Sequence, residues 1–242
     1  MEKYETILNE TILEGQNETE KTAYLSAIAS LSTADKQATQ EESEYITALC
    51  DAAGLTDNQK QAVLSAATET DGQELRRSLD TLRNSQLKYS LVTDLISFAN
   101  ADHNYDESEQ QYVQKIAQYV GVDQHQFALL DQVAGNVSNT SQTQRSFAEP
   151  SFLSSGGLKE KLQNAGINTN TLFKGLLAVA GPIILSRILS GRRGNASSLP
   201  GNLGGMFGGS GGGLGSLIGM LNGGRGLGSI GGLLGRVLGG GY

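Results

Sequence analysis

Residues 98–122 read FANADHNYDESEQQYVQKIAQYVGV, and residues 30–55 carry a second copy of the same pattern, SLSTADKQATQEESEYITALCDAAGL. In both copies an apolar segment ends in Ala-Asp, a polar turn follows, and a second apolar segment ends at glycine. At an offset of 67 positions, residues 24–63 align on residues 91–130 without a gap. A gapless match that preserves the apolar spacing indicates an internal duplication.

Each copy predicts helix, loop, helix, turn and helix. Residues 91–98 of the second copy place apolar side chains at helical spacing. Gly54 and Gly121 follow the last apolar residue of the middle helix, where glycine commonly ends a helix. No segment alternates with a period of two. The sequence therefore predicts an all-α fold, an internally duplicated helical bundle with a glycine-rich, largely irregular C-terminal tail.

The composition divides the chain into four parts. A duplicated helical domain is predicted at residues 1–135, with its repeat units at about 24–63 and 91–130, and a polar linker at 136–156. An amphipathic and apolar helical segment is predicted at 157–190, and a Gly/Leu-rich tail at 191–242. Residues 201–242 contain 20 glycines.

Charge separates the body of the chain from its tail. Residues 1–156 sum to −14 and residues 157–242 to +7. An acidic body repels nucleic acid and attracts cations or a basic protein, whereas a basic apolar tail favours an anionic membrane surface or self-association. The charged start MEKYETILNE has no apolar signal core, and Cys50 is the single cysteine. We therefore expect a cytoplasmic protein with peripheral contact at the inner face of the cell membrane.

One polar turn concentrates oxygen side chains. Asp102, Asn104 and Asp106 alternate along it, and Glu109 follows on the next predicted helix. Ligands of this kind suit a hard divalent cation such as Ca²⁺ or Mg²⁺. The spacing opens like an EF-hand loop and then departs from it, because Glu107 stands where that loop requires glycine.

The same acids have a second interpretation. Carboxylates near helix N-termini satisfy free backbone amides and interact favourably with the helix dipole. Asp106 with Glu109, and Thr39 with Glu42, have the spacing of a capping box. Cation binding and helix capping both remain open at this point.

The two copies resemble the core signature of the TerB-like tellurite-resistance family over about residues 20–135. The resemblance implies an all-helical fold of two related halves, acidic residues that bind metal, and an association with stress-response modules at the bacterial inner membrane. It points to Asp102 and Glu109 as metal ligands, and to Asp35 and Glu42 in the first copy.

The first copy is the poorer metal site. The family often has glycine directly after the aspartate, where this chain has Lys36 and His103. Lys36 repels a cation, and Thr39 stands where the second copy has Asp106.

The most apolar segment is LFKGLLAVAGPIILSRIL at residues 172–189. Lys174 and Arg187 leave 12 uncharged residues between them, short of the roughly 20 that span a bilayer. Three alternatives stay open: a helix buried against the body or another subunit, a helix in a membrane interface, and a tilted span with snorkelling ends. The predicted membrane or assembly residues are Lys174, Leu176, Leu177, Ile183, Ile184, Leu185 and Arg187.

Nothing in the sequence indicates an enzyme. It contains no Ser-His-Asp order, no Cys-His pair and no Walker loop, and its two histidines are too few for a zinc site. We expect a non-enzymatic TerB-like stress-response module that binds a divalent cation and is tethered to a membrane or assembly by its tail. The alternative is a protein-interaction scaffold without metal function, whose acidic body binds a basic partner.

Overall fold

The structure, a computed structural model, describes residues 12–32, 40–69, 71–101, 107–139 and 157–177. Within these ranges every regular element is an α-helix, which confirms the predicted fold class. In chain order the helices are α1 (Glu18–Ser32), α2 (Gln40–Ala52), α3 (Asp57–Thr68), α4 (Gln73–Leu82), α5 (Leu87–Ala101), α6 (Glu107–Tyr119), α7 (Gln124–Asn139), α8 (Leu158–Asn164) and α9 (Thr169–Gly175).

The duplication appears as two three-helix units. Unit one consists of α1 to α3 and unit two of α5 to α7. The first helix of each unit packs against the third, α1 on α3 and α5 on α7. Helix α4 joins the units and packs against α1, with Leu75, Leu79 and Leu82 fully buried on its apolar face.

The turn between the second and third helix is the same in both units. In unit one, Gly54 has a φ of 73°, and the Leu55 N–H donates to the Cys50 carbonyl over 3.0 Å. In unit two, Gly121 has a φ of 79°, and the equivalent bond 67 positions later is 2.8 Å long. A glycine in the left-handed region with this bond is a Schellman helix end, so both predicted glycine stops are confirmed.

The start of the third helix is repeated as well. The Thr56 N–H donates to Gln59 Oε1 over 2.8 Å. In unit two the Asp123 N–H donates to Gln126 Oε1 over 3.1 Å, and the Gln126 N–H donates to Asp123 Oδ1 over 2.8 Å. Each pair is a capping box. The repeat therefore extends from the sequence to individual hydrogen bonds.

The core continues beyond the predicted limit of the helical domain. Helix α7 runs to Asn139, past residue 135. Helix α8 packs on α7, and α9 packs on α5. Leu162 and Leu172 of these two short helices are fully buried in the same cluster as the two units. Residues 157–177, which we call the docked segment, thus belong to the packed body of the protein.

Candidate functional site

The predicted metal ligands fall at two equivalent connections, between α1 and α2 and between α5 and α6. Glu42 and Glu109 are the third residues of α2 and α6, the position from which a capping-box glutamate acts. Their side chains lie outside the described part of the structure, as do the predicted ligands Asp35, Asp102, Asn104 and Asp106 in full. Within the described residues, no group of three or more His, Cys, Asp or Glu side chains is placed to hold a metal ion. Cation binding and capping both stay predictions.

The described residues contain a different polar centre, buried where α1 meets α5. Tyr24 of α1 donates its hydroxyl to the carboxylate of Asp94 on α5. Both side chains are 0 % exposed. The Tyr24 hydroxyl also lies 2.9 Å from the carbonyl oxygen of Gly175, at the end of α9. A buried carboxylate is costly unless it is hydrogen-bonded, so this centre ties the two units and the docked segment together.

The same centre binds the chain directly after α9. The Leu177 N–H donates to Asp94 Oδ2 over 2.8 Å. Ser90, one turn earlier on α5, donates its Oγ to the Leu172 carbonyl over 3.0 Å. We call the surface formed by Tyr24, Ser90 and Asp94 the inter-unit groove.

The groove satisfies the open end of a helix. The last four carbonyls of an α-helix have no partner within the helix. In α9, the body bonds two of them, Leu172 by Ser90 and Lys174 by the Leu13 N–H over 3.1 Å. A third, the Gly175 carbonyl, lies beside the Tyr24 hydroxyl, whose single proton it shares with Asp94. The docked segment is therefore recognised through its backbone as well as through its apolar side chains.

Two further contacts fix the connection between α8 and α9. Gln126 donates its Nε2 to the Ala165 carbonyl over 2.8 Å, and the Asn168 N–H donates to Gln86 Oε1 over 3.1 Å. Both again engage backbone atoms of the segment. Unit two and the turn that leads into it thus supply most of the polar contacts to residues 157–177.

Burial sets the charge state of the tyrosines beside the groove. Burial, reinforced by the charge of Asp94, raises the pKa of Tyr24 well above its usual value. Burial also raises the pKa of Tyr45 on α2, and the charge of Asp94 adds to the effect. Tyr24 is therefore a neutral hydrogen-bond donor at physiological pH. The arrangement is suited to holding a peptide backbone in place.

The predicted membrane or assembly residues have different positions. Leu176 and Leu177 are each 1 % exposed against the body, so for these two the structure corresponds to the first alternative, burial against the body. Lys174 is exposed, and its Nζ lies 3.1 Å from Glu14 Oε2. No described helix is long and apolar enough to cross a membrane. The remaining predicted residues, Ile183, Ile184, Leu185 and Arg187, lie outside the described residues.

Sequence reasoning did not single out Tyr24, Ser90 or Asp94. One signal was present, because Asp94 interrupts the apolar stripe of α5 and stands where unit one has Ala27. A carboxylate on the apolar face of a helix needs a buried partner. The partner itself, a helix end more than 80 positions later, leaves no local trace in the sequence.

The comparisons with known proteins agree with the duplicated part of this architecture. Residues 18–132 match the family model described as tellurite resistance protein TerB. The match spans both units and stops before the docked segment. Neither the curated proteins nor the solved structures yield a match. The predicted resemblance over about residues 20–135 is confirmed: residues 18–132 form a TerB-like domain that matches the tellurite resistance protein TerB family.

Proposed function

We propose that this chain is a non-enzymatic stress-response module. Its TerB domain binds a divalent cation at the acidic connection of unit two, and its basic tail tethers it to a membrane surface. The observation that carries the proposal is the position of the docked segment. It joins the tail to α1 and α5, the two helices that lead into the acidic connections.

The distances along these helices are short. Tyr24 lies eight residues before the end of α1, and Asp94 lies seven before the end of α5. At a rise of 1.5 Å per residue these spacings correspond to roughly 12 Å and 10 Å. A cation bound after α5 and the docked segment in the inter-unit groove would therefore both act on α5.

Unit two is the better cation site on chemical grounds. Its connection offers Asp102, Asn104 and Asp106 followed by Glu109, whereas the first connection has Lys36 beside its aspartate. Carboxylate and amide oxygens are the ligands that Ca²⁺ and Mg²⁺ prefer.

Calorimetric titration of the full chain with Ca²⁺ and with Mg²⁺ tests the cation site. Asp102→Ala should weaken binding by about tenfold or more, equivalent to about 1.4 kcal/mol. Asp35→Ala, the matched change in unit one, should have little effect. Equal effects of the two substitutions, or no binding by the wild-type chain, would leave helix capping as the role of these acids.

The tether follows from charge. Residues 157–242 sum to +7, and each basic residue near an anionic lipid surface contributes roughly 1 kcal/mol. The full chain should float with vesicles rich in phosphatidylserine at low salt and should be released at high salt. The tail variant Arg192→Glu with Arg193→Glu should lose much of this binding. Arg76→Glu with Arg77→Glu makes the same charge change on the exposed face of α4 and is the control.

Flotation also has a clear negative outcome. If the chain stays at the bottom and is a monodisperse monomer in solution, the tail is neither a membrane anchor nor an assembly element. The second candidate function, an acidic scaffold for a basic protein, is favoured by the sum of −14 over residues 1–156. It predicts neither calorimetric cation binding nor flotation.

A further inference from the structure

The apolar run at residues 172–189 begins inside the inter-unit groove. Leu172 is 0 % exposed, Phe173 5 %, and Leu176 and Leu177 1 % each. These four side chains are the first apolar side chains that the run could offer to lipid. Because an apolar side chain cannot occupy the groove and a membrane at once, the two locations exclude each other.

The backbone contacts have the same property. The Leu177 N–H is donated to Asp94, and the carbonyls of Leu172 and Gly175 are engaged by Ser90 and Tyr24. Insertion of residues 172–177 into a lipid surface breaks all three contacts. It also opens the groove to water. Asp94 then becomes hydrated, so its carboxylate is not left buried without hydrogen-bond donors.

We propose that residues 172–177 form a latch with two exclusive positions, docked in the inter-unit groove or inserted in an anionic lipid surface, so that membrane binding of the tail opens the groove between the two units. This inference rests on the proposed tether. Burial of the same apolar side chains stabilises both positions. The balance is therefore set by the groove contacts on one side and by the attraction of the basic tail to anionic lipid on the other.

Gly175 offers a way to shift that balance. A Cβ at this position would lie 2.4 Å from Ser90 Oγ and 2.7 Å from Ser90 Cβ. Rotation of the serine side chain can move Oγ away, but Cβ is fixed by the backbone of α5. Gly175→Ala therefore weakens docking without changing the charge of the tail. Gly135→Ala in α7 is the matched control, because no atom lies within 4 Å of its added Cβ.

The first experiment is flotation of the full chain with phosphatidylserine-containing vesicles over a range of lipid concentrations. Gly175→Ala should reach half binding at a lipid concentration about tenfold below that of wild type. Gly135→Ala should match wild type. Tyr24→Phe, which removes the contacts with the Gly175 carbonyl and with Asp94 and keeps the ring, should shift binding in the same direction. It provides a second variant if Gly175→Ala does not fold.

Hydrogen exchange on the wild-type chain measures whether the docked segment occupies the groove. The Leu13 N–H donates to the Lys174 carbonyl over 3.1 Å and lies outside the tail, so lipid contact cannot protect it in place of the latch. On vesicle binding its exchange should accelerate by about tenfold or more. If the chain floats while Leu13 keeps its protection and Gly175→Ala binds like wild type, the latch is wrong and the tether stands. If the wild-type chain does not float, the tether fails and the latch fails with it.

Discussion

Unit one and unit two share a hydrogen-bonded frame and differ in the side chains that face the rest of the chain. The same Schellman turn and the same capping box occur 67 positions apart. At one buried position of that frame, unit one has Ala27 and unit two has Asp94, each 0 % exposed. The two units thus share one backbone frame, while Asp94, with Ser90 and with Tyr24 of unit one, forms the site that holds the docked segment.

The capping glutamines differ in the same way. Gln59 bonds with Thr56 at the start of α3. Gln126 caps α7 and also donates its Nε2 to the Ala165 carbonyl and, over 3.1 Å, to the Tyr89 hydroxyl. One residue type at equivalent positions is thus a local cap in unit one and a cap plus a long-range contact in unit two.

A third difference lies on the surface beside the turn. In unit one, Lys60 Nζ lies 2.5 Å from Asp51 Oδ1 and 3.2 Å from Asp57 Oδ1. In unit two the aligned residues are uncharged and line a shallow pocket. They are Phe127, Gln118 and Gln124. Unit one closes this surface with an ion pair, and unit two leaves it open.

The largest expected effect concerns Asp94. Asp94→Ala leaves the Leu177 N–H and the Tyr24 hydroxyl without their carboxylate, and a buried donor left unsatisfied costs about 1–3 kcal/mol. Asp94→Asn keeps an acceptor and should cost less. In unit one, Ser30 donates to the Ala66 carbonyl over 2.7 Å, and Ser30→Ala should cost about 1 kcal/mol. Urea denaturation of the full chain measures all three, and equal losses for Asp94→Ala and Ser30→Ala would remove the distinction between the units.

The paired glutamine substitutions come next. Gln59→Ala should lose a cap worth about 1 kcal/mol. Gln126→Ala should lose the equivalent cap and also the bonds to the Ala165 carbonyl and the Tyr89 hydroxyl, which add about 1 kcal/mol. The free energies of unfolding from denaturant titrations, compared between the two variants, test this. Identical values would mean that Gln126 does not help to hold the docked segment.

The smallest effect is a dependence on alkaline pH that spans the two units. The pKa values of Tyr24 and Tyr45, both in unit one, are raised by burial and by the charge of Asp94 in unit two. Because the folded pKa values exceed the unfolded value of about 10, their contribution to stability is complete below pH 10. It declines as the pH rises further.

A suitable background isolates this contribution. Burial raises the pKa of the Cys50 thiol to about 12, so Cys50→Ala removes a further alkaline contribution. In that background, Tyr24→Phe should flatten the fall in unfolding free energy above pH 10. An unchanged slope would show that Tyr24 ionises as readily in the folded chain as in the unfolded one.

The repeat and its helix ends could be predicted from the sequence because their causes are local. Gly54 and Gly121 end helices because glycine readily adopts a positive φ. The repeat of one segment 67 positions later is found by comparing the sequence with itself. The docked segment could not be predicted in the same way. Apolar side chains such as those of Leu176 and Leu177 suit a protein groove and a lipid surface equally well, so the sequence does not distinguish the two. The need for glycine at position 175 arises from the close approach of Ser90, which is a tertiary contact.

Hydrogen exchange of the full chain without lipid shows whether the inter-unit groove holds the docked segment. The Leu177 N–H, donated to Asp94 over 2.8 Å, should be protected to a degree similar to the Val122 N–H of the unit-two turn. Asp94→Ala should abolish protection at Leu177 and leave it intact at Leu55 in unit one. If the Leu177 N–H of the wild-type chain exchanges at the rate of an unstructured peptide, the groove does not hold the docked segment.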